Sequence, residues 1–186
     1  MRVVADDAPA IAGAGGPEYQ PQMQTVRDGS RPWVTLDVLH RESLDGVLAG
    51  TPLSGVPPGE RDALTLAWHR LDPWSDTVPG LTRMKRRHVI APNSNGHIAL
   101  ILDMAKRAGL PCAAILGAET ARAYKTPPEA YLRNVTAVGL EPGEVMMVAA
   151  HNDDLVAAAA CGLRTAFVPR RSEHGPEQTT DLEPLH

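Results

Sequence analysis

The stretch VMMVAAHNDD, residues 145–154, begins with six apolar residues and ends in a cluster of polar side chains. A short apolar run followed by an alanine-rich helical segment is typical of a strand in a βα unit. Further apolar runs at residues 88–91, 113–116 and 165–168 alternate with helical patterns at 79–86, 96–108, 127–138 and 153–161. The sequence therefore predicts an α/β fold with a mostly parallel sheet and helices on both faces.

The rest of the chain has a different pattern. Helical periodicity at residues 18–27, 32–48 and 58–71, broken by turn residues, predicts a small all-helical unit. We accordingly expect a linker or truncated N-terminus at residues 1–18, a helical unit at 19–72, an α/β core at 73–172 and a polar tail at 173–186. Gly109, Gly139 and Gly162 are placed where a glycine would end each core helix.

Composition narrows the class of protein. The 186 residues are 43% hydrophobic and 22% charged with a formal net charge of −4, as expected for a soluble globular chain of one domain plus a small appendage. Neither a duplex-binding surface nor an aromatic platform for single strands is expected, because the charge is negative and aromatics are only 4%. The basic cluster Arg83, Lys85, Arg86 and Arg87 is interpreted as a solvated helix face.

No apolar run is long enough to span a membrane, and no signal peptide is recognisable, so the protein is predicted to be cytoplasmic. Cys112 and Cys161 lack metal-ligand spacing and are predicted to be buried free thiols.

The polar residues that follow the predicted strands are the candidate site, because ligands of parallel sheets bind at the carboxyl ends of the strands. Ser94 and Asn95 precede a helix, where exposed backbone N–H groups favour an anion; the alternative is that they simply cap that helix. Lys125 lies before two prolines, which would hold its ammonium in place, although a loop lysine is usually solvated.

The cluster after the most apolar strand combines an imidazole, an amide and two carboxylates. Asp153 or Asp154 is suited to orient a water molecule, and His151 or Asn152 to hold that water or a substrate. The alternative is that one aspartate caps the alanine-rich helix.

This ordered series of motifs resembles the haloacid dehalogenase superfamily, and most closely its type II 2-haloacid dehalogenases. The resemblance covers residues 19–181. The stretches that carry it are YQPQM at 19–23, PW at 32–33, WHRLDPW at 68–74, VPGL at 78–81, SNG at 94–96, YK at 124–125 and VAAHNDD at 148–154. It implies a Rossmann-like core with a small helical cap and no cofactor.

The resemblance also implies a hydrolysis in which an aspartate displaces the halide of a small haloacid and water cleaves the resulting ester. Lys125 would then pair with the nucleophile and the substrate carboxylate, Ser94 would hydrogen-bond the same region, and Asn95 would help to hold the halide. Asp154 would orient the water, with His151 and Asn152 beside it. Relatives often form homodimers, so a homodimer is also expected.

A magnesium-dependent phosphatase of the same superfamily is the alternative enzyme. Such phosphatases carry a metal-binding aspartate shortly after the strand, where this chain has Ala149, Ala150 and His151. Because a methyl group offers no oxygen ligand, no metal is expected at this site.

The family's nucleophile motif is not recognisable in the sequence, and only Asp6 or Asp7, after a short apolar run, could take its place. The expectation is therefore an N-terminally shortened chain. Such a chain would be inactive as given, or a catalytically dead binding or dimerising remnant.

Overall fold

The structure is a computed structural model that describes residues 20–185. The chain divides into two compact units, the first ending at Glu119 and the second beginning at Thr120. The predicted linker at residues 1–18 lies outside the described residues, and so do Asp6 and Asp7. Among residues 20–185, no helix is both long and apolar enough to cross a bilayer.

The first unit is mainly helical. It contains α1 (residues 20–27), α2 (Leu36–Ala49), α3 (Pro58–Thr65), α4 (Thr77–Lys85) and α5 (Ile98–Ala108), with 3-10 helices at Pro52–Gly55 and Leu66–Arg70. Helix α2 packs against α3, and α5 packs against Leu66–Arg70. The buried apolar side chains of the early elements include Met23, Leu36, Leu39, Leu48 and Val56.

The predicted helices of this unit are present with shifted boundaries. The second begins at Leu36 rather than residue 32, because Thr35 is extended and serves as its N-cap. The third changes to a 3-10 helix at Leu66, so the pattern at residues 58–71 covers two elements.

A short parallel sheet completes the first unit. Strands β1 (Asn93–Ser94) and β2 (Leu116–Gly117) pair with Asn93 opposite Leu116. The predictions at residues 88–91 and 113–116 were a few residues early. The two predicted segments are already adjacent, since the Ala113 N–H donates to the Ile90 carbonyl. Pro92, however, has no N–H to donate and therefore interrupts the regular hydrogen-bond ladder.

The second unit contains a complete βαβ unit. Helices α6 (Ala118–Ala121, which begins in the first unit) and α7 (Glu129–Ala137) precede a 3-10 helix at Pro142–Glu144, then β3 (Met146–Ala149), α8 (Asn152–Ala160) and β4 (Arg164–Phe167). Strands β3 and β4 are parallel, with Met146 opposite Arg164, and α8 packs on both. The buried cluster consists of Ala130, Tyr131, Val135, Ala158 and Leu163.

The α/β class with parallel strands is therefore confirmed, with the described strands forming two sheets of two strands each. Gly109, Gly139 and Gly162 follow α5, α7 and α8 at φ of 68°, 70° and 84°, a conformation that favours glycine.

Two expectations concern individual side chains. Cys112 and Cys161 are free thiols as expected, but they are half-buried rather than buried. The basic residues at and after the end of α4, which are Arg83, Lys85, Arg86 and Arg87, are all exposed.

Candidate active site

Lys125 and Asp154 form a buried ion pair in the second unit. Lys125 Nζ lies 2.7 Å from Asp154 Oδ2, and the two side chains are only 11% and 15% exposed. A lysine in a loop is usually solvated, and here its charge is removed from water and paired with a carboxylate. Two of the predicted site residues are thus brought together, although they are 29 positions apart in the chain.

Tyr131 is a third member of this group, and the sequence analysis did not identify it. Its hydroxyl donates to Asp154 Oδ1 over 2.6 Å, and Lys125 Nζ lies 5.6 Å from its ring centroid. Both carboxylate oxygens of Asp154 therefore accept a hydrogen bond. In the sequence, the only indication of a role for Tyr131 is its place on the helix that follows Lys125. An aromatic residue at such a position is equally typical of a hydrophobic core.

The surrounding elements fix these three side chains. Asp154 lies in the first turn of α8, directly after β3, where the helix dipole favours a negative charge. Tyr131 is fully buried among the core residues of α7 and α8, so its hydroxyl has a defined position. Lys125 reaches the same carboxylate from the loop before α7. A fixed anion with two donors is a site that can orient a water or an ester.

Burial changes the acidity of both donors. Burial lowers the pKa of Lys125, and the contact with Asp154 offsets only part of this decrease. Burial also raises the pKa of Tyr131, and the adjacent Asp154 carboxylate raises it further. The tyrosine is therefore a neutral hydrogen-bond donor at neutral pH, whereas the lysine loses its proton more easily than a solvated lysine.

His151 is the N-cap residue of α8, and its side chain is half exposed. Its Nε2 lies 3.2 Å from Glu173 Oε1, and its ring stacks on that of His174 with centroids 6.3 Å apart. The alternative that an aspartate caps α8 is wrong, because the cap is His151. The structure thus places His151 at the end of β3 beside the tail.

Asn152 is buried and holds the C-terminal tail. Its side-chain N–H groups donate to Asp181 Oδ1 and to the Glu183 carbonyl at 2.9 and 3.0 Å, and its Oδ1 accepts from the Leu185 N–H at 2.9 Å. Its amide is therefore engaged by the tail. The tail, predicted as a surface excursion, is anchored at the start of α8.

Ser94 and Asn95 belong to the first unit and are half-buried at the end of β1. The Gly96 N–H donates to Ser94 Oγ at 3.0 Å, which shapes the turn that leads to α5. The alternative of a plain N-cap is wrong, because α5 begins at Ile98 and His97 is its N-cap. The Ile98 N–H donates instead to Glu119 Oε2 at 2.8 Å, so a carboxylate of the chain occupies the start of α5.

Gly117 controls the position of Ser94. A Cβ atom at Gly117 would lie 2.3 Å from the Ser94 carbonyl oxygen and 3.1 Å from its nitrogen, and Gly117 has φ +144°. We expect Gly117→Ala to destabilise the protein by about 2 kcal/mol or more, because both the contact and the backbone conformation exclude a side chain.

Denaturant unfolding of Gly117→Ala would measure this loss. Gly143→Ala is the matched control, since a Cβ there meets no atom within 4 Å. Equal stabilities for the two variants would contradict the role assigned to Gly117.

Solved L-2-haloacid dehalogenases are closely similar to the chain. The defluorinating L-2-haloacid dehalogenase Rha0230 is 51% identical, with a TM-score of 0.93, over 100% of this chain and 76% of its own. The L-2-haloacid dehalogenase PA0810 is 43% identical, with a TM-score of 0.88, over 91% of this chain and 72% of its own.

A more distant structure shows the same fold. The L-2-haloacid dehalogenase of Xanthobacter autotrophicus, solved with chloropropionic acid covalently bound, is 22% identical, with a TM-score of 0.80, over 91% of this chain and 69% of its own. Neither a family model nor a curated protein matches the chain. The identities of 51% and 43% to two members nevertheless settle its membership. The chain belongs to the L-2-haloacid dehalogenase family.

Proposed function

We propose that the protein hydrolyses the carbon–halogen bond of short 2-haloacids through an aspartyl-ester intermediate. The observation that carries this proposal is the buried group of Lys125, Asp154 and Tyr131 at the end of β3, in a chain 51% identical to a defluorinating L-2-haloacid dehalogenase. The partner of the protein is accordingly a small-molecule haloacid.

In the first step, a carboxylate oxygen attacks the carbon that bears the halogen, the carbon–halogen bond breaks, and the halide leaves with the electron pair. The Lys125 ammonium binds the substrate carboxylate and the nucleophile electrostatically. On the family resemblance, Ser94 is assigned a hydrogen bond to the substrate and Asn95 a contact with the departing halide, whereas the amide of Asn152 is already occupied by the C-terminal tail.

In the second step, water attacks the carbonyl carbon of the ester, and the 2-hydroxyacid leaves as the carboxylate of the enzyme is restored. Asp154 orients this water and accepts its proton, and His151 assists from the end of β3. The hydrogen bonds from Lys125 and Tyr131 keep Asp154 in one orientation. Proximity and a fixed orientation are the main contributions that such a group makes to the rate.

Asp6 and Asp7 are the candidates that this chain offers for the attacking carboxylate, and both lie outside the described residues. Both follow the apolar run at residues 3–5. Asp6→Asn and Asp7→Asn are the substitutions that identify the nucleophile once turnover is measured.

The metal-dependent phosphatase is the less favoured alternative. Strand β3 ends at Ala149 and is followed by Ala150, so methyl groups stand where such a phosphatase needs a carboxylate. We therefore propose that dehalogenation requires no metal. A homodimer is a further prediction of the family resemblance, and a cytoplasmic location is a prediction from the sequence.

The deciding experiment measures free halide released from 2-chloropropionate and fluoroacetate by the purified chain in the presence of EDTA. If Asp6 or Asp7 supplies the nucleophile, the chain releases halide at a rate that EDTA does not reduce, and it shows no magnesium-dependent hydrolysis of p-nitrophenyl phosphate. A folded chain that binds haloacid without releasing halide would instead identify a non-catalytic remnant. Phosphate release that requires magnesium would identify the phosphatase.

The pH profile of halide release should show the lowered pKa of Lys125. As the pH rises through that pKa, the ammonium loses its proton and its charge, so kcat/KM should fall at a pH below 10.5, the ordinary value for lysine. Tyr131 does not cause this fall, because its pKa is raised.

Tyr131→Phe is the control for the assignment of the alkaline limb. It should lower the rate but leave the alkaline limb at the same pH. Disappearance of the limb in Tyr131→Phe would assign it to the tyrosine and contradict the prediction.

A further inference from the structure

A second cluster of ionisable side chains lies in the first unit and shares no residue with the proposed dehalogenation site. It consists of Asp37 on α2, His69 in the 3-10 helix Leu66–Arg70, and His97 at the start of α5. Both histidines are only 6% exposed, and the nitrogen and oxygen atoms that face each other all lie within 4.8 Å. Buried histidines grouped around a carboxylate require an explanation, because their polar atoms are removed from water.

The distances from the two histidines to Asp37 are close to the spacing of ligands around a zinc ion. His69 Nε2 lies 3.1 Å from both Asp37 oxygens, and His97 Nε2 lies 3.4 Å from Asp37 Oδ2. Four ligands arranged tetrahedrally at zinc bond lengths of about 2.0–2.1 Å are separated from one another by about 3.3 Å. The contact of His97 is long for a hydrogen bond but has the length that two ligands of one ion would show.

Asp103 provides the support that a metal-binding histidine usually has. Its Oδ2 lies 2.8 Å from His69 Nδ1. A histidine that binds a metal through one nitrogen commonly donates its other N–H to a carboxylate, which fixes the tautomer and the direction of the ring. With its proton on Nδ1, neutral His69 directs the Nε2 lone pair at Asp37.

In that tautomer the Nε2 lone pair of His69 faces the carboxylate of Asp37, whereas a protonated His69 would donate to both carboxylates. A carboxylate has only lone pairs to offer, and so has the unprotonated nitrogen of a neutral imidazole. Asp37 faces two imidazole nitrogens, and His97 Nδ1 is buried without a hydrogen-bond partner among residues 20–185. A positively charged group between the facing atoms would satisfy the lone pairs of Asp37, His69 Nε2 and His97 Nε2, although not that of His97 Nδ1.

We propose that Asp37, His69 and His97 bind a divalent transition-metal ion, zinc being the best fit, with a fourth position open to water. Two imidazoles favour zinc over magnesium or calcium, which prefer oxygen ligands. The ion would join α2, the 3-10 helix and the start of α5, which are distant in sequence. Its role is to stabilise the first unit, and it takes no part in the chemistry at Lys125 and Asp154.

Metal binding is tested on the tag-free chain after removal of metal with a chelator. Titration with Co²⁺ should produce the visible absorption of a tetrahedral ion with one equivalent bound per chain, and Zn²⁺ should abolish that absorption. Zinc at a hundredfold excess over its Kd should raise the Tm by about 5–10 °C. No cobalt absorption and no zinc-dependent rise in Tm for the parent chain would overturn the proposal, whatever the variants do.

Variants locate the bound ion. Asp37→Asn and His97→Gln should weaken cobalt binding at least about a hundredfold, and Asp103→Asn about 10- to 100-fold, because it supports His69 without touching the ion. His174→Gln is the matched control, since His174 belongs to a separate, exposed group with His151 and Glu173. Equal binding by the parent and His97→Gln, or loss of binding in His174→Gln, would overturn the proposed site.

Discussion

Replacement of Lys125 by methionine is expected to lower kcat/KM for halide release by about 100- to 1000-fold, the usual effect of removing one fixed electrostatic group from an active site. Methionine keeps the unbranched shape of the side chain and removes the charge that binds the substrate carboxylate. Halide release measured over a range of 2-chloropropionate concentrations would separate the loss in kcat from the rise in KM.

Lys106→Met is the matched control for this substitution. Lys106 is an exposed residue of α5 and belongs to neither proposed site, so its variant should retain the parent rate. The thermal melt of Lys125→Met must show a folded protein. A folded Lys125→Met variant with the parent kcat/KM would show that the ion pair has no part in catalysis.

Replacement of Asp154 by alanine is expected to reduce the free energy of unfolding by about 3–5 kcal/mol, in addition to abolishing turnover. The substitution leaves the Lys125 ammonium buried without its carboxylate and deprives the Tyr131 hydroxyl of its acceptor. Removing one member of a buried ion pair has this effect because the remaining charge stays out of water without compensation. Urea unfolding of parent and variant measures the difference.

Asp153→Ala is the control from the same helical turn. Asp153 is exposed at the start of α8, so its loss should remove only a favourable interaction with the helix dipole, about 0.3–1 kcal/mol. The double variant Lys125→Met with Asp154→Ala should be more stable than Asp154→Ala alone, because it removes the ammonium together with its carboxylate. A double variant that is less stable than either single variant would contradict the pairing.

The fold was largely predictable because its signals are local. Apolar runs and glycine C-caps act over a few residues, and they placed β3, β4 and α8 within about two residues of their observed bounds. The predicted strands of the first unit lie a few residues before the observed ones, because Pro92 interrupts the hydrogen-bond ladder. Where the regular ladder begins depends on which residue of the partner strand lies opposite Pro92.

The candidate site was predictable only in part. Lys125 and Asp154 were identified from their positions beside predicted helices, but their contact was not. Tyr131 was missed because a buried aromatic residue on a helix has the same sequence pattern whether or not its hydroxyl reaches an active site. The contacts of Asn152 with the tail were also invisible, since nothing near Asn152 in the sequence indicates them.

The sequence alone determined the α/β class, the order of the elements and the resemblance to the dehalogenases. It also indicated Ser94, Lys125 and Asp154 as candidate site residues. Only the tertiary structure decided that Lys125 and Tyr131 share the carboxylate of Asp154, and that Asp37, His69 and His97 converge in the first unit. The physical reason is the range of the forces. Secondary structure follows from backbone interactions between near neighbours, whereas a buried charge is stabilised by whichever partner the packing of distant segments brings within hydrogen-bond distance.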